Sequence, residues 1–175
     1  MIHFDIKSEG IEAIVAELEP SENQAKVALK RTLNKMAKWM STRSVRGLSS
    51  ELALTQKILR RRLKKSTIVQ SDSGFSIRLF YGLNDIALIH LNPRQTQKGV
   101  TASKRKVDGA FISKRKNQVF KRTGKARLPI EKQVEIIKPQ ADAYLEGVEF
   151  NSVEFHEQFF KTLEHELKWQ MKWMG

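Results

Sequence analysis

The chain has 175 residues and a mass of 20.2 kDa, enough for one domain with a packed core and too short for two full-sized ones. Its 32 Lys+Arg against 19 Asp+Glu give a formal net charge of +13, while 40% hydrophobic residues still provide an interior. No cysteine is present, which excludes disulfide frameworks, thiolate zinc sites, cysteine nucleophiles and iron–sulfur clusters.

The opening Met1-Ile2-His3-Phe4-Asp5-Ile6 lacks the basic region and continuous apolar run of a secretory signal. No apolar stretch approaches bilayer-spanning length, so the sequence predicts a soluble intracellular protein with no membrane contact. Ser8 or Glu9 opens a short helix carrying Ile11, Ile14, Val15 and Leu18, which Pro20 stops. Ser21 then caps a long amphipathic helix reaching about Arg46, with Ala25, Ala28, Leu29, Leu33, Met36, Ala37 and Met40 spaced three and four apart. The Gly47-Leu48-Ser49-Ser50 segment reads as a break. Beyond it, Leu52, Ile58, Leu59 and Leu63 predict another helix whose exposed face carries Lys57, Arg60, Arg61, Arg62, Lys64 and Lys65. That face reads as solvated surface or as a subunit interface.

The period then changes to two. Phe75, Ile77, Leu79 and Tyr81 alternate with Ser76, Arg78 and Phe80 after a Ser73-Gly74 turn, predicting a half-buried strand. Ile86 to Leu91 is apolar on both parities, as in a buried strand ended by Pro93, although so short a run also fits a helix. Ser66 to Val69, Gly109 to Ser113, Gln118 to Lys121 and Ile130 to Ile137 are further strand candidates, together suggesting one small antiparallel sheet. In the last third, Phe155, Phe159, Leu163, Leu167, Met171 and Met174 form an i,i+4 ladder, widened by Phe160 and Trp169, which predicts a long C-terminal helix. The expected fold is α+β in a single domain: helices over residues 1–65, a small antiparallel sheet with a basic hairpin over 66–138, and a long helix over 150–174.

Between Arg94 and Lys132 the chain places thirteen basic residues against only Asp108 and Glu131. Phosphate backbones are the first partner such a segment suggests, through counterion release, and acidic protein surfaces the second. Thr96 to Lys106, rich in Lys, Thr, Ser and Gln, also reads as a solvated loop whose charges only keep it extended. Phe111 and Phe120 are the aromatic residues in this segment, and their strand positions assign them to the core rather than to base stacking. No helix-turn-helix pattern comes together around Leu52 to Leu63.

Motifs for catalysis fail on spacing. His156-Glu157 and His165-Glu166 would need a second histidine four residues on, where Phe160 and Trp169 stand. Gly124-Lys125 resembles the end of a phosphate loop, but Val119 occupies the upstream glycine position and Ala126 the hydroxyl position. No serine lies in a Gly-x-Ser-x-Gly elbow. The sequence therefore predicts no catalytic, metal-binding or cofactor-binding residue, and a protein that is not an enzyme.

Gly109-Ala110-Phe111-Ile112, then Val119-Phe120-Lys121-Arg122-Thr123-Gly124-Lys125, then Arg127-Leu128-Pro129-Ile130, resemble the signature segment of the prophage minor tail protein Z family. In that family of lambda-like tail-completion proteins, a small-residue-aromatic strand leads through a hairpin to an aromatic strand ending in Arg-x-Gly, then to a basic-Leu/Tyr-Pro-Ile turn. A looser similarity covers the basic helix from Ala28 to Arg46 and the Arg-rich element from Ile58 to Lys65. The sequence departs from the lambda-like pattern in its less Arg-dominated loop at Lys98 to Lys106 and its acidic final helix.

The resemblance implies a bacteriophage virion component completing the tail at the head–tail connection, assembled in the host cytoplasm. It further implies a homo-oligomeric ring, a hexamer by analogy, stacked on tail terminator, tail tube and neck proteins. Its basic loops would then face double-stranded DNA through Lys104, Arg105, Lys106, Lys114, Arg115 and Lys116, without sequence preference. Gly109, Phe111, Ile112, Phe120, Arg122, Gly124, Pro129 and Ile130 would serve as structural motif residues, the phenylalanines covering the core, Gly124 permitting a tight turn and Pro129 stiffening its exit. Two other readings stand beside it: a free, sequence-independent DNA-binding protein, and a nuclease with a dispersed site.

Overall fold

The computed structural model describes residues 8–71, 74–147 and 153–174. Helix α1 (Ser8–Leu18) precedes the 30-residue α2 (Glu22–Glu51). Ser21 caps α2 through a capping box: its backbone N–H donates to Gln24 Oε1 at 2.9 Å, and its hydroxyl accepts from the Gln24 backbone N–H at 3.4 Å. Helix α2 runs through Gly47 rather than breaking there. Leu48 is buried, and Gly47 accommodates the Tyr144 ring: a Cβ added at Gly47 would lie 1.6 Å from the Tyr144 hydroxyl oxygen. The glycine read as a stop is thus a seat within the helix.

Helix α3 (Gln56–Arg62) leads directly into β1 (Leu63–Lys65), followed by β2 (Val69–Ser71), β3 (Gly74–Ser76) and β4 (Leu79–Tyr81). The pairs β1–β4 and β2–β3 make an interrupted antiparallel ribbon. Phe75, Ile77, Leu79 and Tyr81 alternate as half-buried positions along it, as the two-residue period requires, although the strand is interrupted at Ile77 and Arg78. Of the Ser66 to Val69 candidate only Val69 joins a strand, and the Ser73 part of the expected turn lies outside the described residues. The ribbon is tied to α2: Ser44 Oγ and Tyr81 Oη are 2.7 Å apart, Lys65 Nζ donates to Asn34 Oδ1 at 2.8 Å, and Lys30 Nζ stands 4.9 Å from the Phe75 ring centroid.

Strand β5 is only Ile86–Ala87, after which Leu88–Leu91 winds into a 3₁₀ turn, so the apolar run is part strand and part helix. Next come β6 (Pro93–Gln95), β7 (Gly99–Ala102), β8 (Arg105–Asp108), β9 (Ala110–Ser113), β10 (Gln118–Arg122), β11 (Ile130–Lys132) and β12 (Val134–Glu135). Strands β6–β7–β8 form one antiparallel sheet, β9–β10–β11 a second, and β12 pairs β5. Instead of one sheet, the described residues form five small ones, joined by side chains and single backbone bonds. Gln95 donates to the Gly99 and Ala110 carbonyls and accepts from the Ile112 N–H, closing the free edge of β9; Gln133 N–H donates to the Val119 carbonyl at 2.8 Å.

Helix α4 (Lys138–Gly147), with Ala141 and Leu145 buried, has no counterpart in the sequence reading. Helix α5 (Val153–Met174) is the long C-terminal helix; residues 150–152 of its expected span, and the Met174 side chain, lie outside the described residues. Its Phe155, Phe159, Leu163 and Leu167 are buried against α2. Burying such side chains is worth roughly 1.5–3 kcal/mol each, so this seam is the main source of helical cohesion. Glu166, only 4% exposed, is held by Lys35 and lies 3.9 Å from Arg31, so its charge is compensated where the two helices meet. One buried cluster joins these helices to Leu88, Leu91, Val100, Ala102, Ala110 and Val119 of the strand region. The molecule is therefore α+β, and no helix among the described residues is long and apolar enough to cross a membrane.

Candidate nucleic-acid interface

Two basic hairpins occupy the segment that the sequence singles out. The first, β7–β8, turns at Ser103 and Lys104, with Ser103 at φ 56°. Thr96 to Lys106 is therefore not an extended solvated loop: Val100 is 1% exposed and Ala102 fully buried, pinning the hairpin to the core. Lys104 and Lys106 are exposed, but Arg105 points inward. Its Nε lies 2.6 Å from Glu135 Oε2 and its Nη2 donates to the Leu52 carbonyl at 2.8 Å. Arg105 is thus engaged within the fold, while Lys106, the next residue on the strand, alternates outward and Lys104 is exposed in the turn.

The second hairpin, β9–β10, turns through Lys114, Arg115, Lys116 and Asn117, all exposed, with Asn117 at φ 46°. Asparagine tolerates this left-handed conformation better than most residues. Among the described residues Lys114, Arg115 and Lys116 make no ion pair, although Lys116 Nζ stands 5.6 Å from the Phe120 ring centroid.

The register decides which way the signature residues face. Val119 is opposite Ile112 and fully buried, Lys121 is opposite Ala110, which is 3% exposed, and Phe120 is opposite Phe111. The core is thus met by Ala110, Ile112 and Val119. Phe111 and Phe120, expected in the core, lie on the reverse face, half-buried, with ring centroids 6.2 Å apart. Arg122 lies 6.0 Å from the Phe111 ring. Sequence pattern alone does not reveal this inversion, since both parities of β9 and β10 are apolar and either face satisfies an alternation rule.

The other motif residues divide. Gly109, at φ +72°, occupies a conformation that favours glycine between β8 and β9. Gly124 does not: it is exposed, its φ lies outside the left-handed region, and an added Cβ would meet open space, so no tight turn demands it. Leu128–Pro129 is a cis peptide, and Thr123 N–H donates to the Pro129 carbonyl at 3.3 Å, closing the loop from Arg122 to Ile130.

A further cationic cluster comes from residues far apart in sequence. Lys57 and Arg61 of α3 face His90 and Arg94 across a cleft of about 700 Å³, with no carboxylate among its lining residues. By contrast Arg62, read as part of the exposed basic face, is half-buried and donates to the Gly82 carbonyl at 3.2 Å, bracing the loop after β4. The helical period of α3 identifies Lys57 and Arg61 as neighbours, but their approach to Arg94 depends on tertiary packing.

Among the described residues no three His, Asp or Glu side chains converge to hold a metal ion. His156 packs edge-on against Phe155 at 5.7 Å, and His165 is exposed. Comparison of the chain with family models, with curated proteins and with solved structures gives no match.

Proposed function

We propose that this chain is a non-enzymatic phage tail-completion protein, acting as a ring at the head-proximal end of the tail and stacking on terminator, tube and neck proteins. One observation carries the reading: the segment resembling the minor tail protein Z signature forms a single three-stranded unit, β9–β10–β11, with one face anchored in the core and a free basic tip. Such a unit is a rigid projection suited to contacts with neighbours. Lys104, Lys106, Lys114, Arg115 and Lys116 are available for phosphates.

Light scattering of the purified protein, alone and with tail tube and terminator proteins, tests the proposal. A ring, or a complex formed with those proteins, is the expected result; no association with either overturns it. The cleft between α3 and β6 favours a second reading, a free DNA-binding protein contacting phosphates through Lys57, Arg61 and Arg94. Tight, salt-dependent duplex binding by a protein that ignores tail components is the outcome that selects it.

A further inference from the structure

Nucleic-acid strands are held without sequence preference by two features together: aromatic faces on which bases stack, and cations that follow the backbone. The outer face of β9–β10–β11 carries both. Phe111 and Phe120 sit side by side on neighbouring strands, outside the buried core cluster, with centroids 6.2 Å apart and planes inclined by 35°. Each has a cation against its ring, Arg122 for Phe111 and Lys116 for Phe120. Lys132 is the register partner of Phe120, which places a third cation on the same face.

Charge on this face has one sign. Residues of even number on β10 and β11 share it with Phe111 and Ser113 of β9, and none of them is acidic. Glu131 is opposite Lys121, so the carboxylate of this sheet is on the other face. The sheet keeps its shape without the phenylalanines being enclosed, because Ala110, Ile112 and Val119 already bind it to the core. Two half-buried rings, each with a cation against its face, are therefore not required to hold the sheet on the core.

We propose that this face is a stacking platform for single-stranded nucleic acid. Bases displace Arg122 and Lys116 from the rings and stack on Phe111 and Phe120, while those cations, with Lys132, turn to the phosphates. A duplex keeps its bases stacked inside and offers only its backbone to such a surface. The preference for a single strand thus separates this platform from general attraction by a chain of charge +13. The inference does not rest on tail completion, since any strand-binding protein could use the same face.

Fluorescence anisotropy of the full chain with labelled dT20, an abasic strand of equal length and a 20-base-pair duplex provides the test. The unaltered protein is expected to bind dT20 about tenfold or more tightly than the abasic strand, whose phosphates are the same but which has no bases to stack. The double variant Phe111→Leu/Phe120→Leu, which keeps apolar bulk but removes the ring faces, is expected to lose that preference while duplex affinity changes less than about twofold. Equal binding of dT20 and the abasic strand overturns the proposal without any variant. A preference that survives the double substitution, or a parallel loss for strand and duplex, overturns it as well. Association with tail proteins is measured separately, and its presence or absence leaves this result unaffected.

Discussion

Two hairpins a few residues apart, with nearly the same basic composition, have opposite fates. In β7–β8 the middle cation of Lys104-Arg105-Lys106 is drawn inward to Glu135 and the Leu52 carbonyl, while in β9–β10 Lys114-Arg115-Lys116 forms the turn itself and stays in water. Successive residues on a strand, such as Arg105 and Lys106, must face opposite ways, whereas residues in a turn need not. Charge counts along a sequence therefore overstate what is available to a partner, and the register of the chain decides the rest.

The sharpest way to break this contrast is to remove Arg105. Arg105→Ala leaves Glu135 and the Leu52 carbonyl unpaired in a partly buried setting, and is expected to cost about 2 kcal/mol. Urea unfolding would read this as a lower midpoint with an unchanged slope. A stability change below about 0.5 kcal/mol would mean that the inward contact does not hold the hairpin.

Neutralising the second triplet should do the reverse. Lys114→Ala/Arg115→Ala/Lys116→Ala is expected to leave the urea midpoint nearly unchanged but to reduce the slope of log K against log salt for duplex binding by up to about 2.7, if all three side chains meet phosphates. An unchanged slope in an anisotropy titration would remove this tip from any DNA contact. The smallest effects belong to the turns. Ser103→Gly relieves a positive φ that serine adopts reluctantly and should stabilise by about 0.5–1 kcal/mol, while Asn117→Gly should gain only a few tenths. Equal gains in thermal melts would show that the two turns are strained alike.

Helix positions were largely legible, because α1, the Ser21 cap, and the buried ladder from Phe155 to Leu167 follow local rules of period and capping. Helix α4 is not legible in the same way despite Pro139 in its first turn and Ala141 and Leu145 four apart, since a ten-residue element gives a weak periodic signal. The expected single sheet is instead several short ones, joined across their gaps by long-range bonds from Gln95 and Gln133 that no local pattern encodes. At the candidate interface, sequence located the charge. The inward turn of Arg105, the reversed face of Phe111 and Phe120, and the meeting of Lys57 with Arg94 all needed the tertiary structure.

Gly47 has a consequence beyond its own helix. A glycine inside a helix costs roughly 1 kcal/mol relative to alanine, yet here the missing methyl is the space in which the Tyr144 hydroxyl lies. Helix α4 follows closely on β12, and β12 pairs with β5 beside the 3₁₀ turn that packs on β10. Enlarging residue 47 would therefore first expel the Tyr144 ring from this seat and loosen the contact of α4 with α2, at the end of the chain path that leads back through β12. The fit of α4 on α2 thus turns on a space the size of one carbon atom.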